Sequence, residues 1–200
     1  MIKQVSADCD AIIAQANPLV KRKFFCYTVK NYKEGCALVC AFTGHRPQHL
    51  PWGTREDDAR CAALKMKLQQ TVLEVYRRGF ETFLCGMARG CDQYFAEAVL
   101  QLRDSGAAPR SQLIALIPCP SQPDSWPEAE QLRYRALLAR CDGAETLESA
   151  YSDGCMLRRN REMLRRAQLL ITVFDGTRGG TASTIAAARR QGIEIVPIWM

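Results

Sequence analysis

The segment Phe80–Asp92 reads FETFLCGMARGCD and predicts a buried strand, a tight turn and the start of a helix. Its first six residues are mostly apolar or β-favouring and follow Gly79, which is typical of a strand that begins after a helix ends. Apolar residues then recur at helical spacing between Tyr94 and Leu102, so a helix begins near residue 91. A strand, a turn and a helix in this order form the repeating unit of an α/β fold.

Glycines mark the turn of this segment. Gly86 and Gly90 bracket the turn around Met87, and they allow the backbone to approach a neighbouring group closely. The first N–H groups of the following helix lack partners within that helix and favour an anion or a polar ligand. A glycine also follows two other predicted strands, at Thr43-Gly44 and at Asp175-Gly176. Several glycine-marked turns after strands in one α/β chain predict a single ligand crevice.

Outward from this segment, apolar runs and helical patterns alternate along the chain from Ala37 onward. The alternation predicts an α/β fold of the Rossmann-like, doubly wound type, with a mostly parallel sheet of about six strands flanked by helices. Residues 36–200 are predicted to form one ligand-binding domain. Residues 1–35 are predicted to be an N-terminal extension, and the sequence does not indicate its role.

Some element boundaries carry their own signals. Thr54 and Asp57 are spaced as the capping box of a long helix that starts at about residue 55. Ser125 is the expected N-cap of a later helix, and the fourth strand is expected over residues 145–148.

The 200-residue chain has the composition of an ordinary globular protein, with 48% hydrophobic and 24% charged residues. No apolar run approaches the roughly 20 residues that span a bilayer, and the first residues lack the layout of a signal peptide. We therefore expect a cytoplasmic protein without a membrane partner. The ten cysteines form no C-x-x-C pair and the chain has only two histidines, so we expect reduced, buried thiols and no metal site.

The net charge of +6 lies partly in one predicted helix that is rich in arginine. Such an excess fits a small anionic ligand, incidental contact with nucleic acid, or a merely solvated surface. The solvated surface is the simplest of the three interpretations. The arginines of this helix are Arg158, Arg159, Arg161, Arg165 and Arg166.

The loop Asp175–Thr181, DGTRGGT, follows the most hydrophobic predicted strand and precedes an alanine-rich helix. Gly179, Gly180 and the Thr181 hydroxyl present hydrogen-bond donors at a helix N-terminus, an arrangement that suits a phosphate. The simpler alternative is a plain turn capped by Thr181. The chain lacks the P-loop pattern G-x-x-x-x-G-K-[ST], and no G-x-G-x-x-G follows the first strand, so neither a P-loop ATPase nor a NAD fingerprint is supported.

Several polar or aromatic residues near the predicted strand ends have two interpretations each. Asp92 is either the cap of its helix or a carboxylate that accepts from a ligand. Asn160 lies on the apolar arc of its predicted helix, from which all five arginines are excluded, so its amide either ties down a neighbouring loop or reaches a ligand. His45-Arg46 either supplies a cation for phosphate or belongs to a loop whose path Pro47 fixes. Trp52 and Trp126 each either stack on a base or pack within the protein.

These motifs together resemble, in order and over residues 37–200, the YpsA-like family of the SLOG superfamily. The residues that carry the resemblance are Ala41-Phe42-Thr43-Gly44-His45-Arg46-Pro47, Gly86-Met87-Ala88-Arg89-Gly90-Cys91-Asp92 with Phe95-Ala96-Glu97, Pro118-Cys119-Pro120 with Gln122 and Trp126, Arg133-Tyr134, Arg159-Asn160, Asp175-Gly176 and Gly179-Gly180-Thr181.

The resemblance implies a Rossmann-like fold that binds nucleotides or nucleotide-derived signals. The superfamily also contains the cytokinin-activating phosphoribohydrolases, with a P-G-G-x-G-T-x-x-E pattern and a catalytic Glu, and the DNA-processing protein DprA. In this chain Thr184 stands at the place of that Glu, and no Pro precedes the glycines. The departure counts against glycosidic hydrolysis, although Asp92 or Asp175 remains available as an acid or base.

The favoured hypothesis is a non-catalytic cytoplasmic sensor of a nucleotide-derived small molecule, with no certain cofactor. The alternatives are a phosphoribohydrolase-like enzyme and a DprA-like DNA-associated protein; nucleic acid is the less favoured partner, and a homo-oligomer is left open. The residues expected to bind the ligand are Thr43, Gly44, His45, Arg46, Gly86, Met87, Gly90, Asp92, Asn160, Asp175, Gly176, Gly179, Gly180, Thr181 and Thr184.

Overall fold

The computed structural model describes residues 38–200, so the predicted extension over residues 1–35 lies outside the described residues. The described residues contain six strands, which are β1 (Leu38–Thr43), β2 (Phe80–Cys85), β3 (Gln112–Ile117), β4 (Gly143–Thr146), β5 (Leu169–Phe174) and β6 (Glu194–Trp199). The helices of this part of the chain are α1 (Ala59–Arg77), α2 (Cys91–Asp104), α3 (Glu128–Leu138), α4 (Cys155–Arg166) and α5 (Gly180–Arg190), and a short 3-10 helix follows β1 at Pro47–His49.

The six strands form one sheet in the order β4-β3-β2-β1-β5-β6, and every neighbouring pair is parallel. The chain moves outward from β1 to β4 and then crosses back to place β5 and β6 on the other side of β1. The strand order therefore reverses between β1 and β5, which lie side by side. The predicted doubly wound α/β sheet of Rossmann-like type is confirmed, and the sheet is parallel throughout.

Helices cover both faces of this sheet. On one face α1, α2 and α3 pack against strand residues such as Phe42 and Phe83. On the other face α4 and α5 pack against Ala41, Leu84 and Leu170. Successive residues of a strand point to opposite faces, so strands covered on both faces are apolar at nearly every position. This explains the continuous apolar runs of the sequence.

The predicted start of the long helix α1 is wrong. The helix begins later, at Ala59, because the residues before it are held in successive hydrogen-bonded turns. Asp58 is its N-cap, with Oδ1 accepting from the backbone N–H of Arg60 at 2.8 Å. The expected capping box of Thr54 and Asp57 is therefore replaced by a single Asp cap.

Two further boundaries differ from the prediction. Pro127, rather than Ser125, stands at the N-cap of α3, and its ψ of 148° keeps the preceding chain extended. β4 spans Gly143–Thr146, earlier than expected, because these four residues pair in register with Ile114–Ile117 of β3. For β4, the pairing that sets the boundary lies outside the local pattern.

The seven cysteines within residues 38–200 are free thiols, and all except Cys141 are buried, as expected. Among the helices of this part of the chain, none combines the length and the apolar character needed to cross a membrane.

Candidate functional site

The carboxyl ends of β1 and β5 open into a cavity of about 240 Å³. These are the two strands between which the strand order reverses, and in open α/β sheets ligands bind in the crevice at this point. The end of β1 and the loop after it contribute Thr43–Arg46, and the loop after β5 contributes Arg178–Thr181. Asp92 comes from α2, and Arg159 and Asn160 come from α4.

Most of the predicted ligand-binding residues line this cavity, and the others lie around it. Those in the lining are Thr43, Gly44, His45, Arg46, Asp92, Asn160, Gly179, Gly180 and Thr181. Those outside the lining are Gly86, Met87, Gly90, Asp175, Gly176 and Thr184. The fold thus gathers residues from four separate parts of the chain, and their role in binding stays a prediction.

Arg159 is the functional residue that the sequence analysis missed. The helical pattern placed it outside the apolar arc of its helix, yet only 4% of it is exposed. Its Nη1 lies 4.0 Å from Asp92 Oδ2 and donates to the carbonyl of Leu116 at 3.4 Å, and its Nε donates to Asn160 Oδ1 at 2.8 Å. Burial lowers the pKa of the guanidinium, but arginine keeps its charge in proteins. A buried cation therefore lines the cavity.

Asp92 is the partner of this cation and does not cap its helix. Gly90 is the N-cap of α2, and Asp92 Oδ2 accepts instead from the backbone N–H of Ala88 at 3.1 Å. Burial raises the pKa of the Asp92 carboxyl, and the smaller opposing effect of Arg159 does not cancel this rise. A carboxyl group with a raised pKa in a cavity is suited to hold or transfer a proton.

His45 is held in the cavity wall by Asp175. Its Nε2 lies 2.9 Å from Asp175 Oδ1, and its ring stacks on Phe174 with the ring centroids 5.8 Å apart. Hydrogen bonds from Thr177, and secondarily the contact with His45, lower the pKa of Asp175 to about 2. Asp175 is thus a charged residue that positions His45 and lies outside the cavity lining.

Side-chain hydrogen bonds fix the first turn of α5. Asn160 Nδ2 donates to Thr184 Oγ1 at 2.9 Å, and Thr184 Oγ1 donates to the carbonyl of Gly180 at 2.8 Å. Thr181 Oγ1 donates to the carbonyl of Gly44 at 3.2 Å and makes no cap for α5, so the alternative of a plain turn capped by Thr181 is wrong. Asn160 therefore ties α4 to α5 while it also lines the cavity.

The glycines around the cavity have different reasons to be glycine. A Cβ at Gly86 would lie 1.5 Å from Arg159 Nη1, and one at Gly44 would lie 2.5 Å from the Cβ of Cys91. Arg159 thus makes the close approach predicted at Gly86. At Gly180, in contrast, a Cβ would meet nothing within 4 Å, and no packing contact in the described residues requires a glycine there.

The cavity is attractive to anions. Arg46 and Arg178 line it, both are exposed, and neither has an ion-pair partner among residues 38–200. The first N–H groups of α5 carry the partial positive charge of a helix N-terminus. With the buried Arg159, these groups form a site that suits a phosphate, whose oxygens accept from guanidinium and backbone donors.

A family model described as the YspA SLOG family matches residues 40–194 of this chain. The chain belongs to the YspA SLOG family. The predicted resemblance is confirmed. Among its relatives, the UPF0398 protein of Halalkalibacterium halodurans is 26% identical to this SLOG chain over 133 residues, which are 64% of the chain and 69% of that protein. The UPF0398 protein of Bacillus velezensis is 24% identical over 165 residues, which are 80% of the chain and 89% of that protein.

Solved structures of DNA processing protein A have the same fold as this YspA SLOG chain. The protein from Helicobacter pylori, described for its single-stranded DNA binding mode, superposes with a TM-score of 0.54 at 18% identity. The protein from Streptococcus pneumoniae superposes with a TM-score of 0.51, also at 18% identity. The match covers 80% of the SLOG chain in both cases, but only 65% and 50% of the lengths of these two proteins.

Proposed function

We propose that this YspA SLOG chain binds a phosphate-bearing, nucleotide-derived small molecule in the cavity between the ends of β1 and β5. The observation that carries the proposal is the convergence of positive groups on that cavity. Arg46, Arg178 and Arg159 line it together with the N-terminal turn of α5. Three arginines and a helix N-terminus at a reversal of strand order are the chemistry of phosphate recognition.

The free space at Gly180 supports this assignment. A ligand phosphate that lies against the backbone of the first turn of α5 would occupy the space that a side chain at this position fills. The turn is also rigid before any ligand arrives, because Asn160, Thr184 and Thr181 bond it to α4 and to the loop after β1. A preorganised site loses little entropy when it binds.

Binding without turnover is the favoured form of the proposal, a sensor of the nucleotide-derived molecule. Thr184, which stands where the phosphoribohydrolases have their catalytic Glu, is 5% exposed and is engaged with Asn160 and Gly180. A second candidate is hydrolysis of the bound nucleotide. It draws on Asp92, a cavity carboxyl whose pKa is raised and which is thus suited to act as a general acid.

Single-stranded DNA is a third candidate, since the Helicobacter pylori protein of the same fold is described for binding it. The arginine-rich helix α4 gives this candidate little support, because most of its arginines are already paired. Its Arg158, Arg165 and Arg166 form ion pairs at 2.7 Å with Glu148, Glu162 and Glu145. Neutralised arginines release few counterions from a phosphate backbone.

Thermal unfolding with a panel of nucleotides, nucleotide sugars and dinucleotides tests the proposal. A ligand at one hundred times its dissociation constant adds about 2.7 kcal/mol to the free energy of unfolding. We expect Gly180→Ala to keep the Tm of the free protein, because its Cβ meets nothing, and to lose the ligand-induced shift. Ser183→Ala, an exposed change on the same helix outside the cavity, is the matched control and should keep the shift.

An unchanged shift in Gly180→Ala, or a panel in which no phosphate compound raises the Tm, would contradict the proposed site. The fate of the ligand separates the two small-molecule candidates. A sensor returns the stabilising compound unchanged, whereas an enzyme consumes it, and Asp92→Asn should then slow turnover by orders of magnitude.

A further inference from the structure

A second cavity, of about 320 Å³, adjoins the first along the carboxyl edge of the sheet. The two cavities share Arg46, Gln48 and Ala88 in their walls. The second one lies over the ends of β2 and β3, and the loop after β3 supplies much of its lining. Ligand pockets commonly measure about 300–1,000 Å³, so the first cavity alone is below this range and the two cavities together lie within it.

The chemistry of the second cavity differs from that of the first. Its lining contains an indole, a phenol and a thioether, from Trp126, Tyr151 and Met156, together with polar side chains such as Arg89 and Ser121. Trp126 is half-buried and its ring packs edge-on against Tyr134 with centroids 5.4 Å apart, so the indole has a fixed orientation. Tyr151 is 63% exposed, so its ring is accessible to a ligand.

The loop that carries Trp126 is anchored to the turn between the two cavities. Gln122 is 6% exposed, and its Nε2 donates to the carbonyls of Gly86 and Met87 at 3.3 and 3.1 Å. Carbonyls only accept hydrogen bonds, so this amide has one orientation. Gly86 in turn packs against Arg159 of the first cavity. The walls of both cavities are therefore built on the same turn.

We propose that the second cavity binds the planar base of the nucleotide whose phosphate occupies the first cavity. The base stacks on Trp126 and is covered by Tyr151, and the shared Arg46 lies where the sugar–phosphate passes from one cavity to the other. Bases stack on aromatic side chains through their π faces, and this interaction tolerates different bases. This inference rests on the proposed function and adds the substrate class, a free nucleotide with an intact base.

Isothermal titration with AMP, UMP and ribose 5-phosphate tests the inference. Loss of one stacked base weakens binding by about 10-fold or more, so both nucleotides should bind the wild-type protein at least 10-fold more tightly than ribose 5-phosphate. Trp126→Leu should remove this advantage and leave the affinity for ribose 5-phosphate unchanged. Trp126→Phe keeps an aromatic surface and should retain most of the advantage.

Trp199→Leu is the matched control, because Trp199 is 66% exposed at the end of β6 and lines neither cavity. Tyr151→Ala, at an exposed position, gives a second variant that folds even if Trp126→Leu does not.

Equal affinities for the nucleotides and ribose 5-phosphate, or equal effects of Trp126→Leu and Trp199→Leu, overturn this inference alone. If none of the three phosphate compounds binds, both this inference and the proposed function are contradicted. Tight binding of a single-stranded oligonucleotide that Trp126→Leu abolishes, without binding of AMP or UMP, overturns the assignment to a free nucleotide.

Discussion

Arg159 and Asp92 are both buried, and Arg159 Nη1 lies 4.0 Å from Asp92 Oδ2. Leaving one member of such a buried pair without its partner typically costs about 3–5 kcal/mol. Gly86 makes the pair possible, since the guanidinium occupies the place where any other residue would have its Cβ. A glycine that looks like a ligand-binding feature in the sequence is thus a requirement of an internal ion pair.

Gly86→Ala should lower the free energy of unfolding by about 3–5 kcal/mol, because the new methyl group displaces Arg159 and leaves Asp92 unpaired. Urea denaturation measures this loss. In an Arg159→Ala background the same substitution should cost much less, because the group it collides with is gone. Equal costs in the two backgrounds would show that Gly86 serves the backbone and not the arginine.

Asp175 gives the protein a stability that depends on pH. Its folded pKa of about 2 lies below the ordinary value of 3.8, mainly through hydrogen bonds from Thr177. A lowered carboxyl pKa stabilises the folded state above the ordinary pKa, and this stabilisation is lost as the pH falls through the folded pKa. Asp175→Asn should therefore lower the Tm at pH 6 by about 2–4 °C, the shift expected for about 1 kcal/mol in a domain of this size.

The difference in Tm between wild type and Asp175→Asn should shrink as the pH falls from about 4 towards 2. Calorimetric scans between pH 6 and pH 2.5 check it. A difference that stays constant over this range would mean that the charge of Asp175 contributes nothing, and that only the shape of its loop matters.

At the scale of elements, most strands were predictable, whereas β4 and several helix starts were not. β2 and β5 have the bounds that their apolar runs predict, since a strand covered on both faces is apolar at most positions. The start of α1 depends on one carboxylate, Asp58, among several polar residues that all make plausible caps. Helix boundaries of this kind depend on turn geometry that composition does not encode.

The candidate site was predictable in its location and only partly in its members. Residues that follow parallel strands meet at one edge of the sheet, which is why Thr43, Asp92 and Gly180 lie around one cavity. Arg159 was not predicted as a site residue, because a helical pattern treats arginine as solvated. Its burial depends on Asp92, a residue that is distant in sequence and near in space. Patterns local to one helix cannot reveal a partner on another.

At the scale of the whole molecule, the sheet, both of its helix layers and both cavities belong to residues 38–200. A chain that begins at residue 36 should therefore fold on its own, with a cooperative urea transition. It should also keep the ligand-induced shift in Tm of the full-length chain. Circular dichroism and thermal unfolding of the two chains side by side measure both properties. A broad, non-cooperative transition in the shorter chain would contradict the predicted division at residue 35.

The contrast between Gly180 and the glycines at positions 44 and 86 extends beyond a single protein. Substitutions at positions 44 and 86 destabilise the folded state, because a Cβ there collides with neighbouring atoms. A duplicated gene that no longer needs its ligand therefore still keeps glycine at both positions. Under the proposed function, a substitution at position 180 impairs only ligand binding, so drift in such a gene is free to introduce alanine or serine there. The proposal therefore predicts that natural variation at this single codon separates members of the family that still depend on the ligand from members that have lost it.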